Sequence, residues 1–265
     1  MIAAMIIVRN IKTALGQPDT VAVQAALKKI HVSSEQVQSA HLSKTSIDAR
    51  KHDHIIKVNT VVIHLYDGEE RIAARALADV EYKKTLPFSV KKGSEKLDTP
   101  IVIAGFGPAG LFAADLLAKN GYHPIVVERG MDVDHRVQMV EKFWTKGVLN
   151  SSCNVQFGEG GAGTFSDGKL TTRINDPLCD YVLRQFELHG APSETLTKAK
   201  PHIGTDKLRR VVKSMREEIL KNGGQVLFNS CLDGLDIQSG KLRGVTVNGQ
   251  PIATKNLILA IGHSA

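Results

Sequence analysis

With 265 residues, 42% of them hydrophobic and 23% charged, the chain is long enough for two folded domains with a sizeable buried core. Its longest apolar runs, Ile101–Ala104 and Leu257–Ile261, fall far short of the roughly 20 residues that cross a bilayer, so no membrane-spanning helix is expected. The formal net charge of +7 sits in small scattered clusters such as Lys83–Lys84, Lys91–Lys92 and Arg209–Arg210, with no aromatic-studded basic stripe; an anionic small molecule explains it as well as a nucleic acid would.

The opening MIAAMIIVRNIK lacks a basic segment ahead of its apolar stretch, so it reads as a strand over residues 2–8 rather than a signal peptide. Val21, Ala25, Leu27 and Ile30 predict a helix over Thr20–Ile30, capped by Asp19 or Thr20. Strands are expected at Val37–Leu42 and Ile55–Tyr66, then a turn at Asp67-Gly68 and a helix over Glu69–Leu77. His52 and His54 bracket Asp53 in a polar turn, which reads as a solvated loop and not a metal site. Residues 1–94 thus form a small α+β domain with no motif that carries chemistry by itself. The polar stretch Ser89–Pro100, SVKKGSEKLDTP, is the natural linker.

The second domain, residues 95–265, opens with a strand at Ile101–Ala104. A helix over Gly107–Asn120 ends at Gly121, and a strand follows at Pro124–Glu128. Further helices are predicted over Asp132–Lys146, Pro177–His189 and Thr205–Asn222. From Gln225 the chain alternates in period two through QVLFNS, LDGLDIQ and KLRGVTV, with turns at Ser239-Gly240 and Asn248-Gly249. That pattern reads as a β-meander, closed by the buried strand NLILAIG. Cys153, Cys179 and Cys231 are odd in number and widely spaced. They read as reduced thiols of a cytoplasmic protein, not as a disulfide framework or a zinc site.

Gly105, Gly107 and Gly110 form a G-x-G-x-x-G pattern. In a chain with 23 glycines the bare pattern is weak, but here it follows an apolar strand and opens a helix. Gly105 permits the tight turn, Gly107 lets a pyrophosphate approach the backbone, and Gly110 lets the helix pack close on the strand. The helix start, where Pro108 fits the first turn and Ala109 and Gly110 carry free N–H groups, offers those donors and a positive dipole end to that anion. Ala114 extends the close packing by one turn. Glu128, followed by Arg129, ends the second strand, where a carboxylate accepts hydrogen bonds from ribose hydroxyls and disfavours a 2′-phosphate. The unit therefore suits FAD or NAD better than NADP.

Gly158–Lys169, GEGGAGTFSDGK, holds a second glycine cluster. Gly163–Lys169 fits G-x-x-x-x-G-K, but a P-loop needs Ser or Thr next and position 170 is Leu. A mobile glycine-rich linker is the other plain reading.

The order βαβ, long excursion, Gly223-Gly224, β-meander and Ala260-Ile261-Gly262 resembles the flavoprotein superfamily that includes glutathione reductase, with isoleucine in place of the usual threonine of A-T-G. The run Asn154–Arg173, with Ser46–Lys51 (SIDARK), Pro201–Leu208 (PHIGTDKL) and the terminal AIGHSA, resembles a bacterial family of FAD-dependent dehydrogenases. That resemblance implies an α/β fold: a Rossmann-like FAD-binding domain with a β-meander, preceded by the small α+β domain. It implies FAD as cofactor and an oxidoreductase acting on a small-molecule substrate, with NAD(P)H as electron donor or acceptor. By analogy Gly160, Gly161, Gly163, Thr164 and Ser166 contact the cofactor, as do Ala260 and Gly262 after the last strand. Lys169 or Arg173 offsets negative charge. Cys153, His202 and His263 lie near glycine motifs, but no catalytic residue is assigned. The resemblance implies longer relatives with a later Gly-Asp strand, so an N-terminal portion that binds FAD weakly or not at all on its own is expected. A flavin-containing RNA-modifying protein and a non-catalytic remnant of the fold are the alternatives.

Overall fold

A computed structural model describes residues 3–85, 88–166, 168–170, 172, 174, 176–198 and 202–262. By contacts the chain divides into two units. The first comprises residues 1–92 with the segments 171–187 and 192–201; the second comprises 93–170, 188–191 and 202–265.

In the first unit, β1 (Ala3–Ala14), α1 (Asp19–Ile30), β2 (Val37–Asp48), β3 (Ile56–Leu65), α2 (Glu69–Ala73) and β4 (Val80–Thr85) follow in order. The strands form one antiparallel sheet in the order β2-β3-β1-β4. Ile6, Val8, Val61 and Ile63 are fully buried and share a core with Ala22, Ala26, Leu27 and Ile30 of α1. The three- and four-residue spacing of those α1 positions puts them on one helix face. α1 begins after Pro18, with no side-chain cap, one residue before the predicted start. β4 was not predicted, and the helix predicted to Leu77 stops at Ala73. Charged residues dominate β4, as suits an edge strand.

In the second unit, β5 (Ile101–Ala104), α3 (Pro108–Lys119) and β6 (Ile125–Val127) make the expected βαβ unit. After α4 (Val133–Lys146) come α5 (Pro177–Leu188), most of which belongs to the first unit, and α6 (Thr205–Lys221). Then follow β7 (Gln225–Leu227), β8 (Leu232–Gln238), β9 (Lys241–Val247), β10 (Gln250–Ala253) and β11 (Asn256–Leu259). A parallel sheet has the order β11-β5-β6-β7, and β8, β9 and β10 form an antiparallel meander.

The α/β class read from the sequence is therefore the observed one, but the closing strand, expected to be buried, is the edge strand β11 with Ile258 and Leu259 exposed, and the meander is shorter than expected. Gln225–Leu227, counted with the meander by its alternation, is the fourth strand of the parallel sheet and pairs with β6. Three residues are too few for a period-two pattern to tell one sheet from another. Leu208, Val211, Val212, Met215 and Ile219 form the buried stripe of α6.

Candidate nucleotide-binding site

The site is built at the carboxyl ends of β5, β6 and β11. Gly105 leaves β5 at φ +98°, and a Cβ there would stand 2.4 Å from the carbonyl oxygen of Ala260. A Cβ on Gly110 would lie 1.9 Å from the Gly105 carbonyl oxygen, so α3 approaches the strand closely only because both positions are glycine. Gly107 is different. It is the N-cap of α3 with extended backbone, and a Cβ there would meet nothing nearer than the Gly161 Cα, 3.9 Å away. The fold itself leaves that space open. Pro108 occupies the first helical position, and no acceptor among the described residues engages the N–H groups of Gly107, Ala109 or Gly110. Free N–H groups at the start of a 12-residue helix are suited to an anion.

Glu128 follows β6 and is buried. Its Oε2 accepts from the Phe106 N–H at 2.7 Å and its Oε1 from the Gly130 N–H at 2.8 Å. The carboxylate thus ties the β5–α3 turn to the end of β6, and each oxygen keeps lone-pair capacity for a further donor. Arg129 stacks over the Phe157 ring, its guanidinium carbon 3.7 Å from the centroid.

The second glycine cluster returns to this turn. The Gly160 N–H donates to the Phe106 carbonyl at 2.8 Å, and a Cβ on Gly161 would stand 3.1 Å from Pro108 Cδ. A short 3-10 turn, Ala162–Phe165, follows, with open space beside Gly163. Thr164 is buried and donates to the Glu159 carbonyl at 3.3 Å; the Ser166 hydroxyl donates to the Gly163 carbonyl at 2.7 Å. Both hydroxyls shape the loop's own backbone. Lys169 is exposed and bridges to His202 through the main chain. The P-loop alternative is not supported: among the described residues Gly163–Phe165 is a 3-10 turn, Lys169 makes an isolated bridge, and residues 170, 172 and 174 are not helical. The linker alternative also fails for Gly160 and Gly161, which pack on the fingerprint turn.

After β11 the Ala260 N–H donates to the Ala104 carbonyl at 2.8 Å, and the Ala260 carbonyl lies against Gly105. Gly262 follows with φ +76°. The structure thus brings Gly105, Gly107, Pro108, Ala109, Gly110, Glu128, Gly160, Gly161 and Ala260 together. It leaves Ser166 and Lys169 further along the loop. Arg173 and His263 lie outside the described residues.

Three charged groups escaped the sequence reading. Arg136 is fully buried among carbonyls of residues 154–159. Glu159, also fully buried, accepts from the Val133 N–H at 2.7 Å, and its Oε1 lies 2.9 Å from Arg216 Nε as an ion pair, at an angle outside hydrogen-bond geometry. Burial pushes the Glu159 carboxyl above the usual carboxylate range, with Arg216 pulling the other way. Burial likewise lowers Arg136 to about 10. One signal was legible: Arg136 falls between Val133 and Val140 on the buried stripe of α4. Cys153 is buried, and burial raises its thiol further from the reactive thiolate. Among the described residues no group of three or more His, Cys, Asp or Glu could hold a metal, and no helix is long and apolar enough to cross a membrane.

No family model matches the chain. An uncharacterized protein of Clostridium beijerinckii is 46% identical over 260 residues, which cover 97% of this chain and 49% of that protein, so the chain spans about half the length of that relative. Among solved structures, Thermovibrio ammonificans THI4 is 18% identical with a TM-score of 0.41, covering 62% of this chain and 58% of that one. The L-proline dehydrogenase of P. horikoshii is 15% identical with a TM-score of 0.42, covering 62% and 53%.

Proposed function

We propose that the second unit binds the ADP half of FAD and that the protein is an FAD-dependent oxidoreductase acting on a small-molecule substrate. The observation that carries this reading is the open space at Gly107. Gly105 and Gly110 are demanded by the fold's own contacts, whereas Gly107 is not, and it stands where free helix N–H groups meet the Gly160–Gly163 backbone. A pyrophosphate would lie there, held by the N–H groups of α3 and the positive end of its dipole. Glu128 would accept from a ribose hydroxyl while keeping its two backbone donors. FAD, when bound, supplies hydride or electron transfer at its ring. Ala260 and Gly262, with Gly163, would border the cofactor's far end, and Arg129 and Lys169 would add positive charge near it. The β-meander before β11 supports FAD over NAD, and NAD(P)H would serve as electron donor or acceptor.

The test is the absorbance spectrum of the protein purified from its full open reading frame. FAD gives bands near about 370 and 450 nm. A colourless protein that takes up no FAD from solution yet binds NAD would overturn the proposal in favour of a nicotinamide site.

A further inference from the structure

Arg136 is fully buried in α4, and its hydrogen bonds go to backbone carbonyls of a single loop. Nε donates to Asn154 at 2.9 Å, Nη2 to Val155 at 2.8 Å, and Nη1 to Glu159 at 2.6 Å and, at the limit of 3.5 Å, to Gly158. The guanidinium carbon stands 4.7 Å from the centre of the Phe165 ring, and that of Arg209 stands 4.7 Å from the same ring. A Cβ on Gly158 would come within 2.7 Å of Arg136 Cδ, so the loop passes directly over the side-chain stem. The next residues, Gly160 and Gly161, are the ones that meet Phe106 and Pro108.

We infer that Arg136 is a positioning residue: its guanidinium fixes residues 154–159 and so sets the Gly160–Gly163 backbone against the fingerprint turn for the cofactor. This rests on the reading that the turn binds FAD. The requirement is for a planar fork with several fixed donors. A lysine ammonium at the same place is a point charge that cannot reach carbonyls spread over six residues. An alanine would take from the Asn154 and Val155 carbonyls the donor they have, and would leave the Glu159 carbonyl with the longer bond from Thr164. Glu159, held by Val133 and paired with Arg216, anchors the same loop from its other end.

The experiment compares wild type with Arg136→Lys by hydrogen exchange in the absence of FAD and by FAD titration. Arg136→Lys is expected to speed amide exchange in residues 156–163 about tenfold or more and to raise the FAD Kd about tenfold. Arg136→Ala given guanidinium ion should recover both, while ammonium at equal concentration should not. Unchanged exchange in Arg136→Lys overturns the inference, as does faster exchange with unaltered FAD affinity. If Arg136→Lys does not fold, Phe165→Leu, which removes the ring and keeps the carbonyls, is expected to speed exchange in the same segment; no change there also overturns it. The exchange arm needs no cofactor. Wild type with a protected loop and no FAD affinity therefore overturns the function proposed above, and with it the purpose assigned to Arg136.

Discussion

Gly107 and Gly110 stand three residues apart at the start of one helix and answer to different constraints. A methyl group at Gly110 would enter the Gly105 carbonyl, so Gly110→Ala must push α3 off the sheet. A loss of about 3 kcal/mol is expected for such overpacking, read as a lowered denaturant midpoint. Gly107→Ala meets no close atom, and its stability should fall by no more than about 1 kcal/mol, the scale of an N-cap change. Its FAD affinity should nonetheless drop about tenfold, because the methyl group stands where the pyrophosphate approaches. Retained affinity in Gly107→Ala would count against the placement of the phosphate.

Glu159 gives a pH signature. Its carboxyl titrates in the ordinary range when unfolded and higher when folded, because burial disfavours the charged form. Folding therefore takes up a proton between those two values. The stability Glu159 contributes is present below the unfolded pKa and is lost as pH rises through the folded one. Glu159→Gln keeps an acceptor for the Val133 N–H and cannot titrate, so its stability relative to wild type should rise as the pH climbs above the ordinary carboxylate range. Parallel profiles of the two proteins would contradict the assignment.

Among the elements, those with local signals were legible. β5, α3 and β6 follow from an apolar strand, a fingerprint and a Gly C-terminus, with Gly121 at φ +80°. The meander follows from Ser239-Gly240 and Asn248-Gly249, all four at positive φ as a hairpin turn demands. α4 begins where Asp132 accepts from the N–H groups of Asp134 and His135, at 3.0 and 3.2 Å. Asp132→Ala should cost about 1 kcal/mol in stability, measured by chemical denaturation. β4 and β7 were not legible for opposite reasons. β4 is an edge strand whose Glu81, Lys83 and Lys84 give it no apolar pattern to read, and β7 is so short that only its pairing with β6 defines it. For Arg136 the stripe position was legible but its partners were hidden, because they depend on residues 154–159 returning from more than a dozen residues away.

At the scale of the whole molecule, the second unit gathers its candidate site from four separated stretches: Gly105–Gly110, Glu128, Gly160–Gly163 and Ala260. The first stretch could be named from spacing alone. Glu128 could be named from its place at the end of the second strand; Gly160–Gly163 and Ala260 could be named only through a resemblance, since their approach to the turn is a property of the folded chain. Titration calorimetry of the protein from its full open reading frame tests the central claim most directly. One FAD per chain, displaced competitively by ADP and weakened in Gly107→Ala, is the expected result. FAD uptake that ADP does not contest, or no uptake at all, would contradict an ADP-half site at Gly105–Gly110.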